Sequence, residues 1–233
     1  PANASARARR TIPSGIHPQT RALTTRTNTQ VLDCGGQYCH LIASRVRRHE
    51  ALSVIVPCDA PVSTFADAGA IIVSGGPQSV FDPASMRVDK ALWDLPVPIL
   101  GICYGCQMMC QDLGGKVEQA AVGEYGPATL EVVKAGGVMP GDADKTTVWM
   151  SHRDKVVALP PGFETTGKTA ACANAAVQCC DGTRRLYGLQ LHPEVTHSAK
   201  GEAMLGAFVE LSGLKGTWKM DDFVDQQIAA TRA

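Results

Sequence analysis

The sequence predicts an α/β fold: a mostly parallel open sheet flanked by helices, with an antiparallel flank. Short β-branched runs alternate with helical periods from residue 29 onward, and several of these runs are continuously apolar, as strands buried on both faces are. Residues 116–190 instead carry strand-like pieces with turn signals and little helix, which predicts the antiparallel part.

The elements follow in order. TQVLDC (29–34) reads as a strand, and QYCHLIASRVRRHE (37–50) as a helix with Tyr38, Leu41, Ile42 and Val46 on one face. LSVIV (52–56), AIIVSGG (70–76) and PILGIC (98–103) read as strands buried on both faces. YGCQMMCQDL (104–113) makes a short helix stopped by Gly114 and Gly115. PATLEVV (127–133), TTVWM (146–150), FETTGKTA (163–170) and AAVQCC (175–180) form the antiparallel flank. LYGLQL (186–191) returns to a buried strand, and GEAMLGAFVELSG (201–213) closes the body with a helix; there are no internal repeats.

The 233 residues sum to a net charge of +0, but unevenly. Residues 1–30 hold five arginines and no Asp or Glu, leaving 17 Lys+Arg against 22 Asp+Glu in residues 31–233. A +5 arm is thus joined to a −5 body. The arm is rich in Ala, Arg, Thr and Pro without apolar periodicity, so residues 1–28 read as a disordered extension, with an organellar transit peptide as the alternative. Residues 29–213 are expected to form the folded domain and 214–233 a linker or the start of a connection to a further domain. In that tail Met220, Phe223, Val224 and Ile228 share a helical face behind Asp221 and Asp222. An acidic body offers no electrostatic case for a phosphate backbone, and no apolar run nears the roughly 18 residues of a membrane span. Nucleic acid and membrane are therefore not expected partners. Nine cysteines without regular spacing argue for a reducing compartment, the cytoplasm if the arm does not direct the chain elsewhere.

Gly101-Ile102-Cys103-Tyr104-Gly105 follows a buried strand and opens a helix, the form of a nucleophile elbow. At a helix N-terminus the unpaired N–H groups favour a thiolate on Cys103, and the N–H of Tyr104 faces the same spot. Cys103-x-x-Cys106 also has the spacing of a redox or zinc pair, but zinc requires a second ligand pair and Cys179-Cys180 is adjacent within a strand, so no metal is expected. Leu191-His192-Pro193-Glu194 lies just beyond another buried strand. Loops after parallel strands share one edge, so His192 can meet Cys103, with Glu194 orienting the imidazole. His17, His40, His49 and His197 read as ordinary histidines. Ser74-Gly75-Gly76-Pro77 lets backbone N–H groups approach an oxyanion; as a phosphate loop it lacks the donor that Pro77 removes.

SGGPQSV, VPILGICYGCQ, GGKVE, EYGPATL, VWMSHRDKV and YGLQLHPEVTHS together resemble the glutamine amidotransferase domain of the GMP synthetase family, over residues 31 to about 212. The resemblance implies the flavodoxin-like fold of the class I (triad) amidotransferases. It implies Cys103 as nucleophile, His192 and Glu194 as its partners, and Gly76 and Tyr104 as oxyanion donors. It also implies that Gln107 and the Ser151–His152 loop help to seat glutamine. By the same resemblance ammonia is expected to pass to an ATP pyrophosphatase (synthetase) domain or partner that binds ATP and magnesium and aminates XMP to GMP; no cofactor is implied in this chain. The alternatives are stand-alone hydrolysis of γ-glutamyl compounds and a non-catalytic regulatory subunit. The sequence departs from the family's DFGSQY at Cys34 and Gly36, from its Met at Cys106, and from the Gly of MSHGDK at Arg153. Cys106 reads as packing, whereas Arg153 is expected to weaken glutamine binding if substrate needs close backbone approach there.

Overall fold

A computed structural model describes residues 27–142 and 144–220. The arm up to residue 26 and the tail positions Asp221, Asp222, Phe223, Val224 and Ile228 lie outside the described residues. Among the described residues nine strands are formed: β1 (Asn28–Asp33), β2 (Ser53–Pro57), β3 (Ala68–Val73), β4 (Pro98–Ile102), β5 (Lys116–Val132), β6 (Lys145–Ala158), β7 (Glu164–Lys168), β8 (Ala176–Cys180) and β9 (Arg185–Leu189). They make one sheet in the order β2-β1-β3-β4-β9-β8-β7-β5-β6. The first five pair in parallel and the rest antiparallel, so the antiparallel flank continues the main sheet.

The chain leaves β1 toward β2 on one side and returns to β3 on the other. This reversal opens a crevice at the carboxyl ends of β1 and β3, where open α/β sheets place their ligands. The parallel strands alternate across two cores. Val31, Ile72 and Leu100 face α1 (Cys39–Arg48) and α3 (Gly201–Ser212), meeting Ile42, Val46, Leu205 and Phe208. Leu32, Ile71 and Ile99 face the opposite side, with Trp93 and with Met108 of α2 (Tyr104–Asp112). At β3 and β4 every residue is buried, as the apolar runs predict.

Three local expectations shift. The run at β2 is an edge strand, not buried on both faces: among the described residues it has a neighbouring strand, β1, on one side only, and Val54 is exposed. Helix α1 begins at Cys39 and buries Cys39, Ile42, Ala43 and Val46, so Tyr38 precedes the helix and is left half exposed. Ser151 and His152 lie within β6, not in a loop, because β5 and β6 form a far longer hairpin than the short pieces suggested. A bulge interrupts that hairpin between Gln119 and Glu124, after which Glu124 pairs directly opposite His152.

Candidate active site

Cys103 sits where β4 turns into α2, with φ 51° and ψ −106°, a conformation rare for a residue with a side chain. Sterics on both flanks impose the turn. A Cβ on Gly101 would lie 2.7 Å from the Cys106 nitrogen, and one on Gly105 would lie 2.3 Å from the Val73 carbonyl oxygen of β3. The Cys103 N–H donates to the Leu189 carbonyl (2.7 Å), tying the elbow to the end of β9. As the first residue of α2, Tyr104 has a backbone N–H with no intrahelical acceptor; its hydroxyl donates to the Met86 carbonyl at 2.7 Å.

From β9 the chain runs straight to His192, whose N–H is held by the Trp149 carbonyl of β6 (3.0 Å). His192 Nδ1 meets Glu194 Oε1 at 2.7 Å, and both side chains are buried. Glu194 is fixed from behind: Arg45 of α1 donates through Nε to its carbonyl (3.1 Å) and through Nη1 to Glu202 of α3 (2.8 Å). Burial pushes the His192 imidazole down, but the Cys103 sulfur and the Glu194 carboxylate outweigh it and lift the group to about 10. Both partners thus favour the imidazolium.

The loop after β3 closes the third side. A Cβ on Gly75 would lie 3.2 Å from His192 Cε1 and 3.4 Å from Cys103 Cβ, and one on Gly76 would meet the Cys34 carbonyl at 2.4 Å. The crevice is a cavity of about 640 Å³ in which Gly76, Cys103, Gln107, Asp154 and His192 take part.

The three expected glutamine-seating residues lie here in different ways. Gln107 is buried and committed, donating to the Asp154 carbonyl (2.7 Å) and the Gln190 Oε1 (3.2 Å). Ser151 is exposed on β6, and its carbonyl faces the Cys103 sulfur at 3.7 Å. His152 is buried between two acceptors, with Nδ1 3.0 Å from the Asp154 carbonyl and Nε2 3.2 Å from Glu124 Oε2. A neutral imidazole donates from one nitrogen, so both bonds form only when His152 or Glu124 carries an extra proton. Burial pushes His152 down, against the pull of the Asp154 carbonyl and Glu124.

Two residues were missed by sequence reasoning. Asp154 is 6% exposed; its Oδ2 accepts a hydrogen bond from the Ser79 hydroxyl, while its Oδ1 is buried without a partner. Two-residue alternation from His152 along the β6 segment could have found it. Gln190, fully buried, points its amide nitrogen at the Cys103 sulfur (3.8 Å), and nothing in its sequence context marks it. Arg153 lines the cavity from the exposed side of β6, its Nε donating to the Ala120 carbonyl in the bulge (3.4 Å). Cys106 is fully buried and packs against Gly188. Among the described residues, no three His, Cys, Asp or Glu side chains gather to hold a metal ion.

Comparison with known proteins agrees with this geometry. Residues 30–211 match the family model for glutamine amidotransferase class-I. The chain is 44% identical to a GMP synthase (glutamine-hydrolyzing) of Symbiobacterium thermophilum over 206 residues, covering 87% of this chain and 40% of that protein. It is also 44% identical to the GMP synthase of Thermus thermophilus over 204 residues, covering 87% and 40%. The chain therefore spans between 33% and 40% of the first such relatives it matches. In three dimensions it resembles a GMP synthase subunit of Thermoplasma acidophilum, with a TM-score of 0.73 and 28% identity over 80% of this chain and 94% of that one. A glutamine amidotransferase of Thermotoga maritima shares the fold at a TM-score of 0.63 and 16% identity, over 80% and 98% of the two chains. On the family match, which covers most of the chain, and on a sheet whose strand ends gather these side chains, the chain belongs to the class-I glutamine amidotransferases.

Proposed function

We propose that this chain is the glutaminase portion of a GMP synthase, hydrolysing glutamine and supplying ammonia for the ATP-dependent amination of XMP. The observation that carries the chemistry is the convergence of the Cys103 elbow with the 2.7 Å His192–Glu194 pair at one sheet edge. The GMP synthase names of its relatives support the rest.

In this reading the Cys103 sulfur attacks the side-chain amide carbon of glutamine. The amide oxygen gains negative charge and is received by the N–H groups of Gly76 and Tyr104. His192, held by Glu194, gives its proton to the departing nitrogen, and ammonia leaves a glutamyl thioester on Cys103. Water then attacks the thioester, giving its proton to His192 as the carbon–sulfur bond breaks and glutamate leaves. Gln107 and His152 act from behind, holding the 152–154 segment of β6. Ser151 contributes its backbone, and Asp154 Oδ1 receives the α-ammonium of the substrate. ATP, magnesium and XMP belong to the synthetase domain or partner, and Arg153 stands at the rim facing incoming substrate.

Ammonia release from glutamine tests the reading, by this chain alone and with a GMP synthetase unit supplied with XMP and ATP. Wild-type turnover that rises with the synthetase supports it, and Cys103→Ala should remove that turnover while added ammonia still supports GMP formation. Partner-independent hydrolysis of γ-glutamyl peptides would favour a stand-alone hydrolase. Absence of glutamine binding would favour a regulatory role without catalysis.

A further inference from the structure

Outside the catalytic cluster, two thiols lie unusually close. Cys34 follows β1 and Cys58 follows β2, each one position past the last paired residues, Asp33 and Pro57. Their sulfurs are 3.0 Å apart, and both cysteines are free and buried. Cys58 lies just beneath the surface on the edge strand's side, between exposed Pro57 and Asp59.

We infer that Cys34 and Cys58 form a reversible disulfide, a modification site that sets the position of the oxyanion loop. The two sulfurs are already oriented at each other, and adjacent strand ends keep their backbones within the separation a disulfide spans. They are also unequal. The hydrogen bond shared with Cys34 holds Cys58 below the usual thiol range, against burial and the charges of Asp59 and Asp33 and with help from Arg87. The same hydrogen bond, with burial, pushes Cys34 up. Cys58 is thus the attacking thiolate and Cys34 the resolving thiol.

With hydrogen peroxide as oxidant the step balances. The Cys58 sulfur attacks one peroxide oxygen, a sulfur–oxygen bond forms, the oxygen–oxygen bond breaks and the leaving hydroxide takes a proton as water. The Cys34 sulfur then attacks the Cys58 sulfenic acid; the disulfide forms, and a second water leaves with the Cys34 proton. Two sulfurs are oxidised and both peroxide oxygens reduced.

The bond would be felt at the active site through contacts already made. The Cys34 N–H donates to Ser74 Oγ (3.1 Å), Ser74 Oγ donates to the Gly75 carbonyl (3.0 Å), and the Cys34 carbonyl presses on Gly76. Closing the sulfurs to about 2.05 Å draws Cys34 toward β2 and the 74–76 loop with it. The Gly76 N–H moves relative to the Cys103 sulfur, so the loss falls on kcat. Its size is bounded by the roughly 10²–10³ that one oxyanion donor supplies. This kinetic part rests on the glutaminase reading, whereas the bond itself does not.

The experiment has two arms. Cys103→Ala protein is treated with hydrogen peroxide, alkylated after denaturation and digested with trypsin. A loss of two hydrogens is expected in a species joining the peptide 27–45, which carries Cys34 and Cys39, to the one that carries Cys58, with fragmentation placing the bridge at Cys34 and the alkyl group at Cys39; separate alkylation of all three thiols, or a bridge at Cys39, overturns the proposal. Wild type and Cys58→Ala, or Cys58→Ser where the alanine variant folds poorly, are then oxidised alike. Wild-type kcat for glutamine should fall about tenfold further than the variant's and return with dithiothreitol, a fraction of one oxyanion donor's worth. Equal loss in both also overturns it. Reduced wild type that releases no ammonia would count against the glutaminase reading alone, because the mass readout does not use activity.

Discussion

Replacing Asp154 by Asn tests the substrate pocket most directly. Asp154 is 6% exposed and shares one carboxylate oxygen with Ser79; its other oxygen is buried without a partner, and the residue lines a cavity of about 640 Å³. An orphaned acceptor in such a place is costly unless a ligand satisfies it. Glutamine brings an ammonium at the end opposite its amide, and a hydrogen bond to a charged group contributes about 1.5–3 kcal/mol. Because Asn is isosteric and can keep the Ser79 contact, the loss should fall on charge recognition. We expect KM for glutamine to rise about ten- to 150-fold, with kcat within a few fold, since the α-ammonium is far from the reacting carbon. The assay is steady-state ammonia release with glutamine and with glutaramate, which lacks the α-amino group. Wild type should handle glutaramate about as poorly as Asp154→Asn handles glutamine, and the variant should barely distinguish the two. An unchanged KM for glutamine, or an equal loss on both substrates, would refute the assignment.

Three further outcomes follow from the packing and charge of the elbow. Cys106→Met should lower the urea midpoint by the equivalent of about 1–3 kcal/mol, because Cys106 is fully buried and the Gly188 backbone leaves it no room; kcat should stay within a few fold, and a collapse of turnover would give Cys106 a chemical role. Gly105→Ala sets a methyl 2.3 Å from the Val73 carbonyl oxygen, so α2 must move; a loss of about 1–3 kcal/mol is expected with at least a tenfold drop in kcat, and a stable, fully active variant would contradict the turn's role. The His192 group is raised from 6.5 unfolded to about 10 folded, so its stabilising contribution is full below pH 6.5 and is lost as pH rises through 10. Urea midpoints should therefore fall between pH 7 and 10 more steeply in wild type than in Cys103→Ala or Glu194→Gln, and parallel profiles would show that these partners do not hold the proton.

Features governed by near neighbours in the chain were legible. The runs at β3 and β4 are buried on both faces as their continuous apolar text requires, and Gly101 is forced by the backbone of Gly105 and Cys106 within the turn itself, whereas Gly105 is forced by the neighbouring strand β3. The two-residue step from His192 to Glu194 puts the pair within reach of each other, and distant groups, the Trp149 carbonyl and Arg45, then hold it in place. The same local reading erred at β2, where LSVIV looks identical whether a strand is central or at the edge, and at Tyr38, where the helix start moved the apolar face by one residue.

By itself, then, the sequence determined an α/β sheet with a cysteine elbow, a glycine loop and a His-Pro-Glu step at its strand ends, because steric and apolar patterns of a few residues suffice for each. Only the tertiary structure decided what surrounds them. The β5–β6 bulge sets Glu124 against His152, the length of the hairpin carries Asp154 into the cavity, and the β1–β2 register brings Cys34 to Cys58. These meetings join residues tens of positions apart, and a strand's own periodicity fixes which way its side chains face but not which strand lies beside it or in what register.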